Sequence, residues 1–90
     1  MPYIHPKARS KYSYIEQEIR DNVFMLTAGE LNYLITMMVT EYLRQKGRSY
    51  QTMNDIVGAL EGAKAEFQAR IVRPYEDEKI KENGDVYDVT

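Results

Sequence analysis

Cysteine and tryptophan are absent from the 90 residues, histidine occurs once, and proline and glycine number three and five. Without cysteine there is no disulfide, no thiolate zinc site and no cysteine nucleophile. His5 stands alone near the start, so one chain cannot build a histidine triad or a multi-histidine metal centre. Long apolar runs are missing too. The stretch from Leu34 to Val39 is interrupted by Thr36 and stops at Thr40, far short of the ~20 residues that span a bilayer. No basic segment followed by an apolar one opens the sequence, so the expectation is a cytoplasmic protein with no membrane partner. Charge of either sign is not in excess: 12 basic against 14 acidic residues leave a net charge of −2. That balance argues against a general attraction to nucleic acid or to anionic lipid.

What is present is an ordinary globular mixture, 43% hydrophobic and 29% charged, in a chain long enough for one domain. The expected organisation is an extended basic arm over 1–11, a helical bundle over 12–83 and an acidic tail over 84–90. Lys7, Arg9 and Lys11 give the arm its charge, and Glu76, Asp77, Glu78, Glu82, Asp85 and Asp88 dominate the other end. Tyr12, Ile15, Ile19, Val23 and Leu26 recur at three- or four-residue steps, which predicts a first helix over about Ser13 to Phe24. Thr27 followed by Glu30 forms a capping-box pattern. Behind it Leu31, Leu34, Ile35, Met38, Val39, Tyr42 and Leu43 lie on one helical face, and Gly47 after Arg44 and Lys46 is a stop signal. The second helix is therefore expected over Ala28 to Lys46.

Ser49 and Thr52 are both candidate N-caps for a third helix, whose stripe is Met53, Ile56, Val57, Leu60, Ala63, Phe67 and Ile71. Gly58, Gly62, Ala65 and Ala69 form a second line along it. Each interior glycine costs a helix ~1 kcal/mol relative to alanine, so the line suggests a seam against another helix or another subunit. Pro74 must end or kink this helix near Arg73 and is suited to open a further segment over Tyr75 to Glu82, closed by Asn83 and Gly84. The fold class is all-α: an antiparallel bundle of three main helices with a short C-terminal helical segment. Off-stripe groups, Tyr33 and Met37 among them, are candidates for a homo-oligomer interface. A domain this small is only marginally stable alone.

The sequences MPYI at 1–4, GELNYLIT at 29–36, YQTMNDIVGALEGAK at 50–64, PYED at 74–77 and ENGDVY at 82–87 resemble a small uncharacterised family encoded in tailed-phage and prophage genomes. The resemblance implies a phage-type origin and a host cytoplasm as workplace. It supplies no activity, but short accessory proteins of that kind often act by binding and blocking.

The residues point to one candidate ligand corner. Arg48, Ser49, Tyr50 and Thr52 place a cation, two hydroxyls and an aromatic ring at a helix start, where free N–H groups and the helix dipole favour phosphate. Lys7 or Arg9 from a neighbouring arm could join them. The function expected is non-catalytic: sequestering or blocking a phosphate-bearing host nucleotide or a host protein. The alternative is a helix-turn-helix-like regulator that reads bases with Tyr50, Gln51, Thr52 and Asn54. Neither reading requires a cofactor or a metal. Glu16, Glu18, Asp21, Glu61 and Glu66 do not repeat an acidic pair on two helices, which leaves little basis for a magnesium enzyme.

Overall fold

A computed structural model describes residues 2–22 and 26–87. Of these, 84% are helical and none is in a strand, so the fold is all-α. The first rod joins α1 (Pro6–Arg9), a single 3-10 turn (Ser10–Tyr12) and α2 (Ser13–Asn22). The second rod is α3 (Ala28–Lys46). The third runs through α4 (Tyr50–Phe67), a π turn (Gln68–Val72) and α5 (Arg73–Asn83).

The boundaries follow local chemistry. Thr27 Oγ1 accepts the N–H of Glu30 at 3.1 Å while Glu30 Oε1 accepts the N–H of Thr27 at 2.9 Å, so the expected capping box starts α3. Gly47 ends it at φ 85°, a left-handed geometry in which a side chain would be strained. Ser49, not Thr52, is the N-cap of α4, and Gly84 at φ 84° closes α5.

One expectation needs correction and another a refinement. The basic arm is extended only through His5, because Pro6 opens α1 with a φ already suited to a first helical turn. His5 Nδ1 accepts the N–H of Lys7 at 3.1 Å and caps that turn. Pro74, for its part, interrupts the α-helix and opens α5 as expected, but through a widened turn and not as an end of the rod. In an α-helix its ring would strike the carbonyl four residues back, at Arg70. The backbone widens instead, Arg73 N–H reaching Gln68 O five residues back, and the helix continues. The long dimension of the molecule is 49 Å. The predicted end of the first helix at Val23 and Phe24, and the tail residues Asp88 and Val89, lie outside the described residues.

The rods do not close on a common core. α3 and α4 form an antiparallel hairpin, with Tyr42 Oη donating to Asp55 Oδ2 at 3.1 Å, and α2 lies beside the other edge of α3. Among the described residues no apolar side chain is fully buried, and Thr52 is the one buried residue. The accessible surface is 8527 Å², against about 5,400 Å² for a folded monomer of this mass. The radius of gyration is 17.4 Å, where about 12 Å is usual for the length. The bundle is thus an open one.

Candidate functional site

The turn between α3 and α4 carries the ligand corner read from the sequence. Arg48, Ser49, Tyr50 and Met53 line a cleft of about 350 Å³. Its chemistry is mixed. Ser49 Oγ accepts the N–H of Thr52 at 3.1 Å, and its own hydroxyl donates to Thr52 Oγ1 at 3.1 Å. Thr52 is only 5% exposed, so both hydroxyls are engaged in capping the start of α4. Arg44 pairs with Glu41, and Lys46 lies 5.9 Å from the centre of the Tyr42 ring. Arg48 has no ion-pair partner among the described residues, and Tyr50 is 89% exposed. The corner thus offers one uncommitted cation and one uncommitted ring.

Within one chain, Lys7 and Arg9 belong to a different neighbourhood. Tyr3 Oη donates to Glu66 Oε2 at 2.7 Å, and Arg9 Nε donates to the carbonyl of Ile4 at 2.8 Å. The arm is thereby tied beside Glu66, which lies about 21 Å along the helix from Thr52 at 1.5 Å per residue. The Glu66 carboxylate also raises the Tyr3 phenol above its ordinary value, chiefly through that hydrogen bond. Of the base-reading types at the start of α4, Thr52 is buried and Gln51 Nε2 is held by Asp55 Oδ1 at 2.7 Å.

The carboxylates are spread over separate local contacts. Glu16 pairs with Arg20 at 2.5 Å, Glu18 accepts from Asn22 and Glu66 accepts from Tyr3. No group of three or more potential metal ligands forms among the described residues. Thr36 bonds within its own helix, its hydroxyl donating to Asn32 O at 2.9 Å. Among the described residues the side-chain link between α3 and α4 is Tyr42 to Asp55, which also raises the Tyr42 phenol above its ordinary value. Sequence reading passed over that pair. The available signal was an aromatic residue with a polar tip inside an apolar stripe, which needs a partner once half covered.

The small-residue line on α4 is mostly bare. Gly58, Ala65 and Ala69 are exposed and Gly62 is half-buried. A Cβ on Gly58 would meet no atom within 4 Å, so nothing among the described residues packs on that glycine. Tyr33 and Met37 line a cleft on the outer side of α3 with Thr36, Thr40, Glu41 and Arg44.

The larger apolar feature is a groove. Ile15 and Ile19 of α2 face Leu31, Leu34 and Ile35 of α3 across a cleft of about 290 Å³. Ile56 and Ala59 of α4 border a second, of about 260 Å³, with Val39 and Tyr42. Met38 lines both, so the two lie side by side along the middle of α3.

Residues 1–86 match the model of one protein family, described as a domain of unknown function, DUF6899. The chain belongs to that family. No curated protein and no solved structure matches it. The family match thus covers every surface described above and brings no activity with it. No helix among the described residues is long and apolar enough to cross a membrane.

Proposed function

We propose that the chain is a non-catalytic binding protein that works as an assembly of identical subunits and acts by sequestering or blocking a host protein. The wider setting, an accessory protein of phage type in a host cytoplasm, comes from the sequence resemblance. One observation carries the reading: the chain exposes 8527 Å², and most of the large apolar groups among the described residues are exposed. Such surface is retained where contacts with other chains cover it. Tyr33, on the outer side of α3 away from the apolar groove, supplies an exposed aromatic group suited to a protein partner. Capture from a host extract by the tagged full chain tests this. Tyr33→Ala should lose the captured protein while leaving assembly mass and helix content unchanged. Equal capture by that variant refutes the choice of face.

A phosphate-bearing nucleotide is the second reading, favoured by the uncommitted Arg48 and the exposed ring of Tyr50 beside one cleft. A melting screen against mono-, di- and cyclic nucleotides decides between the two. A ligand at a hundred times its Kd stabilises by about 2.7 kcal/mol, and loss of that shift in Arg48→Ala would move the assignment to the corner.

A further inference from the structure

We propose that the groove along α3 is filled by α3 of a second copy, crossing antiparallel about a two-fold axis at Met38. The inference rests on the reading above that the chain works as an assembly, and it adds the face and the register.

The apolar stripe of α3 is covered at its edges and bare at its centre. Leu34 on the α2 side, and Val39 and Leu43 on the α4 side, are half-buried. Between them Leu31, Ile35 and Met38 are 52%, 43% and 68% exposed, and Tyr42 is 38% exposed. At 100° per residue these four fall within a sector of about 60° on the helix. A helix buries an apolar stripe at least 100° wide when it packs in a core, so the missing cover is the width of one helix.

The occupant is identified by area and by symmetry. The chain exposes about 3,000 Å² more than a monomer of its mass would. Obligate homodimers bury about 2,000–5,000 Å² in total, or half that from each chain. One such contact is therefore supplied from the excess. Most homodimers close by a two-fold axis, which requires a self-complementary surface. An unbroken apolar stripe satisfies that without charge pairing. Met38 lies within one residue of the midpoint of Ala28–Lys46, so an antiparallel crossing there overlaps the greatest length of both stripes and sets position 38 opposite its own copy.

Opposite charges at a self-opposed position provide the test. Met38→Glu and Met38→Lys are prepared as separate full chains and compared with the unaltered protein by sedimentation and far-UV circular dichroism. Each alone should lose assembly mass, with or without loss of helix. Mixed one to one, they should regain both, because Glu then faces Lys. Variants that each keep the unaltered mass, or a mixture that regains nothing, overturn the proposal. A second measurement does not depend on charge. In this cysteine-free sequence, Met38→Cys should form an inter-chain disulfide under mild oxidation, whereas Thr40→Cys on the outer face of α3 should not. Equal cross-linking at the two positions overturns it as well. An unaltered protein that is a folded monomer removes the assembly reading itself; assembly without self-opposition at position 38 removes the register alone.

Discussion

Replacing Ser49 separates a structural role of the α3–α4 corner from a ligand role. Ser49 Oγ accepts the Thr52 N–H at 3.1 Å, and Thr52 is the most enclosed residue described, at 5% exposure. Ser49→Ala leaves that N–H without a protein partner. Loss of a serine cap costs about 0.5–2 kcal/mol, and a buried donor left unpaired puts this site in the upper half of the range. At an open helix end glycine costs only a few tenths, because water takes over the bond. Here Thr52 narrows the path for water, so Ser49→Gly should cost nearly as much as Ser49→Ala. At 4–8 °C per kcal/mol for a domain of this size, the melting temperature should fall by about 5–15 °C in both. The assay is thermal melting by far-UV circular dichroism at one fixed protein concentration, since assembly makes the midpoint concentration-dependent. Tyr50→Ala, at an 89% exposed position, serves as the control and should stay within about 0.5 kcal/mol. If Ser49→Gly melts with the unaltered protein while Ser49→Ala does not, burial of Thr52 does not exclude water and the reasoning is wrong.

Three further outcomes follow from local geometry. Glu30 is held below the usual carboxylate range by the backbone N–H and then the side chain of Thr27. Its contribution is full above that range and is lost as pH falls through the depressed value, so Glu30→Gln should flatten the acid limb of stability against pH; an unchanged limb refutes this. Tyr42 and Tyr3 are raised by bonds to Asp55 and Glu66, so their protonated forms stabilise the fold below the ordinary phenol value, an effect lost as pH rises through the raised one. Asp55→Asn should bring one late-titrating tyrosine back toward the others in an alkaline absorbance titration, and no movement would deny the Tyr42 contact. Pro74→Ala should let the π turn relax to regular helix and stabilise the chain by about 1 kcal/mol, less than the full interior-proline penalty because the turn already accommodates the ring. Persistence of the Arg73 to Gln68 bond in that variant, read by amide NMR, would mean that Pro74 is not its cause.

Helix limits proved legible wherever a named side chain sets them. Thr27 with Glu30, Gly47 and Gly84 each act within a few residues, and α3 occupies Ala28–Lys46 as its spacing predicts. Pro6 and Pro74 were harder to read. Proline restricts φ and removes a donor, but whether the backbone starts, stops or widens there depends on the partners of nearby carbonyls. Periodicity marked Leu31, Ile35 and Met38 as core positions without stating whose core they join. That depends on the relative placement of whole rods. The candidate corner was legible as a set of residue types, whereas the commitment of Ser49 and Thr52 to capping appears only with burial and hydrogen-bond geometry. Lys7 and Arg9 illustrate the same point, since their separation from Arg48 within the chain follows from one bond, Tyr3 to Glu66.

Sedimentation of the full chain over a wide concentration range tests most directly whether its apolar surface is completed by other copies. The mass should be at least twice the 10.5 kDa of one chain, and helix signal should fall together with assembly on dilution. A species of one chain that keeps its helix content and melts in a single sharp transition would contradict it.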